Sequence, residues 1–115
     1  MSLSNGLMIA GVLAVALVLF TRSRGNISGA DARALVGAGA ALVDVRSRDE
    51  FAAGHIEGAR NISLDELPGR LAEVGARDKP VVVYCASGMR SAAAAASLKQ
   101  SGFTQVYDLG AKSRW

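Results

Sequence analysis

The stretch Val81-Val82-Val83-Tyr84-Cys85-Ala86-Ser87-Gly88-Met89-Arg90-Ser91, followed by the alanine run Ala92 to Ala96, leaves this chain few folds to choose from. Val81 to Tyr84 is a short apolar, β-branched run, the pattern of a parallel strand buried on both faces. A glycine-containing turn follows. From Ser91 the residues favour helix to about Gln100, and Gly102 stands where a helix stop belongs. Strand, tight loop and helix start together predict a cup of backbone N–H groups with the positive end of the helix dipole behind it. Cys85, the single cysteine of the chain, falls at the end of that strand, at the mouth of the cup.

Two readings of Cys85 stand side by side. A helix N-terminus and a nearby Arg90 both favour the thiolate, which is the nucleophilic form, and so make the residue reactive. The plainer reading is a small apolar residue that ends a buried strand.

Strands alternating with helices run through the rest of the chain and argue for an α/β layer with a mostly parallel sheet flanked by helices. Ser28, with Asp31 three positions on, starts a helix that Gly37 and Gly39 end. Ala41 to Arg46 reads as a strand, and Ser47 caps a short helical turn through Phe51 and Ala53. Gly54 to Ala59 is a glycine-bounded loop, and Arg60-Asn61-Ile62 a brief strand. Ser63-Leu64-Asp65-Glu66 has the form of a capping box and predicts a helix that tolerates Pro68 and continues to about Val74. Gln105 to Leu109 is a last short strand. Sites in such sheets gather at the C-terminal ends of strands, where Cys85 lies.

The chain has 115 residues and a mean hydropathy of +0.26, high for one small soluble domain. Much of that excess is N-terminal. Met1 to Thr21 carries no charge, and Leu7 to Phe20 is almost purely apolar, long enough for a helix to cross a bilayer core. No basic region precedes the run, as a cleaved signal peptide requires, and it is apolar all round rather than amphipathic. The expectation is one transmembrane helix over 1–21, a juxtamembrane linker over 22–26 and a folded domain over 27–115. Gly6 and Ala10, four apart, suit packing against a membrane-protein partner.

Arg22 and Arg24 directly follow the apolar run, so the positive-inside rule places the domain in the cytoplasm, on a single-pass anchor in the inner membrane. A lone cysteine suits a reducing compartment. The balance of 13 Lys+Arg against 10 Asp+Glu leaves a net charge of +3. These basic residues are scattered among acids with few aromatics, which gives no support to nucleic-acid binding.

From about Ile27 onward the chain resembles a single-domain rhodanese, a sulfurtransferase. Asp44-Val45-Arg46 with Glu50-Phe51 resembles the family's first signature, and Gly54-His55-Ile56, Gly58-Ala59 and Asn61-Ile62 its second. Cys85 to Arg90, with Ser91 after it, resembles the active loop, and Gly110 and Trp115 keep the spacing of the closing glycine and tryptophan pattern. The resemblance implies a Cys85 thiolate that takes the outer sulfur of a small donor such as thiosulfate as a persulfide, then yields it to a thiol or cyanide-like acceptor. It implies no cofactor and no metal. Loop N–H groups of Ala86, Ser87, Gly88, Met89 and Arg90 would bind the donor's oxygens and the persulfide charge. Arg90 would brace the loop or add positive charge, or merely pair with a nearby carboxylate. Met89 would touch the substrate.

Cysteine phosphatases of related fold hold one more residue between Cys and Arg, usually with His before the Cys. Here Tyr84 precedes Cys85, the loop carries no acid, and a tighter cup suits a sulfur atom better than a phosphate. Arsenate reduction lacks its resolving cysteine.

Asp44 and Arg46 are read as supporting residues: Arg46 pairs with Glu50, ties the next turn to the sheet and adds positive potential near the pocket. His55, the only histidine, is expected to bond to backbone rather than to a metal. No basic residue lies between Cys85 and Arg90, which weakens the hold on thiosulfate and points to a persulfide on a protein or small thiol as donor. Ala111 replaces the expected second glycine, and Lys112, Ser113 and Arg114 occupy positions that are usually partly apolar, so this end is expected to pack loosely. A low-turnover sulfur carrier or adaptor beside a membrane protein is the alternative function.

Overall fold

Alternation along one strand, β3 (Val81–Cys85), divides the interior in two. The computed structural model describes residues 27–115, and the expected anchor and linker lie outside them. Among the described residues no helix is long and apolar enough to cross a membrane. Val81, Val83 and Cys85 join one apolar cluster with Val43, Ile62, Leu67, Leu98 and Val106. Val82 and Tyr84 join a second with Ile27, Leu42, Ile56 and Leu109. Every residue of β3 is therefore buried, which is why the strand reads as an unbroken apolar run.

β3 is one of the two central strands of a four-stranded sheet in the order β2-β1-β3-β4, formed with β1 (Ala41–Asp44), β2 (Arg60–Asn61) and β4 (Val106–Ala111). Every pairing is parallel, and parallel neighbours require crossovers. These are α2 (Arg48–Ala53) between β1 and β2, a 3-10 turn (Leu67–Gly69) with α3 (Leu71–Val74) between β2 and β3, and α4 (Met89–Gln100) between β3 and β4. Ala94, Ala95 and Leu98 of α4 pack on the face of Val83 and Cys85. Leading into β1, α1 (Gly29–Gly37) buries Ala32 on the opposite face.

Local chemistry sets the helix starts. The Ser28 hydroxyl accepts from the Asp31 N–H (3.0 Å) at the head of α1. Ser47 and Glu50 form a full capping box on α2: the Ser47 hydroxyl accepts from the Glu50 N–H, and the Glu50 carboxylate accepts from the Ser47 N–H.

The box expected at Ser63 and Glu66 does not form. Those residues make a turn closed by the Glu66 N–H on the Ser63 carbonyl (2.9 Å), and the Glu66 carboxylate is taken by Arg70 (2.9 Å). Regular α-helix in the crossover from β2 to β3 is accordingly confined to the short α3, Leu71–Val74.

The C-terminal end is also tighter than expected. Arg114 donates to the carbonyls of Leu109 (2.8 Å) and Ile27 (3.0 Å), Arg33 donates to the Trp115 carbonyl, and Trp115 packs half-buried on the second cluster. A Cβ on Gly29 would run into the Arg114 carbonyl, so the close approach of α1 to this end depends on glycine. The polar residues Lys112 to Arg114 do not loosen it because the arginine spends its donors on backbone.

Candidate active site

β3 delivers Cys85 to the end of the sheet, and Ala86, Ser87 and Gly88 turn the chain into α4. Gly88 caps that helix with φ +104°. A residue with a Cβ would pay about 1–2 kcal/mol to adopt this left-handed backbone. The turn sends the Gly88 N–H back onto the Cys85 Sγ at 2.9 Å, and the Ser91 hydroxyl lies 3.5 Å from the same sulfur. The N–H groups of Ser87 and Ser91 also face it. Burial pushes the thiol's pKa up, but the Ser91 hydroxyl and the N–H groups of Ser91, Gly88 and Ser87 outweigh it and hold the thiol below the ordinary 9.0.

Cys85 is wholly buried, at 0% exposure, and belongs to the first apolar cluster. Both readings of the cysteine therefore describe part of it: it ends a core strand, and it is also ringed by donors aimed at its sulfur. Of the loop amides expected to form the cup, those of Ser87 and Gly88 face the sulfur, joined by that of Ser91 from the first turn of α4. Met89 already lies in α4 and is 81% exposed. Ala86 and Ser87 have exposed side chains.

Arg90 lies beyond the ring. Its guanidinium donates in a fork to Glu50, Nη1 to Oε1 at 2.6 Å and Nη2 to Oε2 at 3.0 Å, and so ties the loop to α2. Arg90 first, then the Ser47 N–H, brings the Glu50 carboxyl down to about 2.

The expected pair between Arg46 and Glu50 is thus absent. Arg46 turns back on Asp44 instead, with Nε 3.0 Å from Oδ1 and Nη2 2.7 Å from Oδ2, and donates also to the Gly54 carbonyl (2.7 Å). Asp44 is completely buried, so an unpaired carboxylate there would be costly. The nearest fork, two residues along the chain, answers it.

Tyr84, on the opposite face of β3 from Cys85, supports the same corner: its hydroxyl accepts from the Ile56 N–H (3.1 Å) and bonds to Asp44. Asn61 donates to the carbonyls of Asp44 (3.0 Å) and Arg46 (2.9 Å).

Two open depressions border the loop. One, of about 560 Å³, is lined by Val45, Ser47, Arg48, Ser63, Leu64, Asp65, Glu66 and Arg90. The other, of about 600 Å³, is lined by Arg46, His55, Ile56, Ala86, Lys112, Ser113 and Trp115. His55 donates from Nδ1 to the Phe51 carbonyl (2.9 Å) and stacks on the Phe51 ring at 3.6 Å, a backbone-anchoring role.

Three participants escape a reading by motif. Ser91 reads as a helix starter, yet its hydroxyl meets the sulfur. Glu50 reads as the partner of Arg46, yet it holds Arg90. Asp108, in β4, is a buried carboxylate bonded to Ser91. The signal for Asp108 is alternation: Val106 and Asp108 share a strand face, so an acid there points inward.

A sulfur nucleophile at a strand end, ringed by amides and seated on a helix start, is equipped to hold negative charge on itself or on an atom bonded to it. The fold is that of a rhodanese-like sulfurtransferase, and the chain belongs to the rhodanese-like domain family, whose profile matches residues 28–114. Among curated proteins it is 47% identical over 77 residues to YqhL of Bacillus subtilis, an alignment covering 66% of this chain and 60% of that protein. It is 42% identical over 78 residues to the thiosulfate sulfurtransferase GlpE of Stutzerimonas stutzeri, covering 68% of this chain and 71% of the relative. The structure of the human single-domain sulfurtransferase TSTD1 superposes with a TM-score of 0.68 at 30% identity, covering 78% of this chain and 90% of that one.

Proposed function

We propose that this chain is a membrane-anchored sulfurtransferase that carries sulfane sulfur on Cys85. The Cys85 thiolate attacks the outer sulfur of the donor, the donor's S–S bond breaks, and its electron pair leaves with the donor remnant (sulfite, for thiosulfate). The negative charge then rests on the outer sulfur of a Cys85 persulfide. An acceptor thiolate or cyanide attacks that outer sulfur in turn, and the Cys85 thiolate departs. The supporting observation is the 2.9 Å contact of the Gly88 N–H with Sγ, within a ring completed by Ser87 and Ser91.

GlpE relatives carry thiosulfate in their name. In this chain no side-chain cation lies between Cys85 and Arg90, and Arg90 is committed to Glu50. A persulfide borne by a protein or small thiol is therefore the preferred donor. The charge-free Met1 to Thr21, followed by Arg22 and Arg24, supports a single membrane anchor with the domain in the cytoplasm. Complete burial of Cys85 favours a second reading, a slow sulfur carrier serving a membrane partner.

The test is to incubate the protein with thiosulfate or a small persulfide and weigh it by mass spectrometry. One added sulfur on Cys85 with acceptor-dependent turnover is the expected result. An adduct without turnover leaves the carrier, and no adduct with any donor removes both. Cys85→Ser loses the adduct and lowers turnover by at least about a thousandfold, as removal of a nucleophile does.

A further inference from the structure

Strand alternation brings a second buried group to the sulfur. Val81, Val83 and Cys85 face α4 from β3, and Val83 is the register partner of Asp108 on β4. Asp108 shares the face of Val106, which lies in the same cluster. Between the two strands sits Ser91, at 0% exposure, in the first turn of α4. Its hydroxyl is 3.5 Å from Cys85 Sγ, donates to the Gly88 carbonyl at 3.1 Å, and bonds to Asp108, itself 3% exposed. A serine hydroxyl has one proton. Three acceptors compete for it whenever cysteine and aspartate are both ionised.

We propose that Asp108 is a positioning residue which acts on Cys85 through Ser91, by competing with the sulfur for that single hydroxyl proton. With Asp108 ionised, the hydroxyl is drawn away from the thiolate, which is left less solvated and more nucleophilic. Once sulfur is loaded, the charge lies on the outer sulfur and the Ser91 hydroxyl is free for Asp108. The carboxylate thus keeps the hydroxyl from over-stabilising the resting thiolate. The groups that face Asp108 include Ser91 and the field of Lys99 from α4, the Gly110 N–H (2.8 Å) from its own strand, the field of Arg114 from the C-terminal turn, and apolar Val83 from β3. Burial holds its carboxyl above the ordinary 3.8 despite these partners.

The mechanism rests on the sulfur-transfer reading, but its test needs no sulfur donor. The pH dependence of iodoacetamide alkylation reports the pKa of Cys85 in the full-length protein. Asp108→Asn keeps the acceptor for Gly110 while supplying an N–H to Ser91, and should lower the Cys85 pKa by roughly 0.5 to 1. Ser91→Ala should raise it, and Asp108→Asn should add no shift in that background. If Asp108→Asn leaves the pKa unmoved, or moves it equally with and without Ser91, the proposal falls; an equal shift means the charge acts directly through space. Should Asp108→Asn not fold, Asp108→Ser also accepts from Gly110 and answers the same question. A shift seen with no sulfur loading on Cys85 would uphold the coupling and sink the sulfur-transfer reading.

Discussion

The C-terminal ends of β1 and β3 lie side by side on one edge of the sheet, and they solve opposite problems. At the β1 end a full charge is buried. Asp44 is answered by the fork of Arg46 and by Tyr84, and Arg46 is held further by donating to the Gly54 carbonyl, so the opposite charges of that corner are paired and fixed. At the β3 end no full charge is hydrogen-bonded to the sulfur. Amides and a hydroxyl face Cys85, and Arg90, whose charge reaches the sulfur, gives its own hydrogen bonds to Glu50. Paired charges hold a structure in place, whereas partial charges leave a nucleophile that can gain and lose an atom. The first arrangement is architecture, and the second is chemistry.

Asp44→Ala breaks that contrast most severely. It strands Arg46, whose side chain is only 9% exposed, and should cost about 3–5 kcal/mol in denaturant unfolding. A loss below 1 kcal/mol would show that the β1 corner is not held by charge. Gly88→Ala is next, with about 1–2 kcal/mol from the left-handed backbone and a fall in Cys85 alkylation rate at neutral pH as the Gly88 N–H leaves the sulfur. Unchanged reactivity would place thiolate stabilisation elsewhere.

Arg90→Ala should leave the unfolding midpoint nearly unchanged, since the pair is about one-third exposed on both sides. It should slow turnover about tenfold, less than loss of a donor aimed directly at developing charge. The smallest effect concerns pH. The Glu50 carboxyl is lowered from 4.5 to about 2 in the folded protein, so its contribution is complete above 4.5 and fades as pH falls toward 2. Glu50→Gln should flatten that part of the acid unfolding curve, and added salt should shrink the difference.

Much of this was legible in the residues. The run Val81 to Tyr84 announced a central parallel strand because both of its faces are buried, and the alanine run after it announced the helix. The position of Cys85 followed from those two. What escaped depended on distance along the chain. Glu50 is 40 residues from Arg90 and four from Arg46, so proximity in sequence favoured the wrong partner. Ser63 and Glu66 have the spacing of a cap, but Arg70 competes for the glutamate. Lys112 to Arg114 read as loose because the Arg114 guanidinium finds its partners at Ile27 and Leu109 only once the sheet has formed.

The order of strands and helices, the strand-end cysteine and the glycine that turns the loop were all determined by the sequence itself, because local propensity and two-sided burial act on neighbours. Which carboxylate holds which arginine, and that a serine and an aspartate from separate elements converge on the sulfur, was decided only by the packed sheet. Hydrogen bonds and ion pairs are short-ranged, and only the fold brings those groups within their reach.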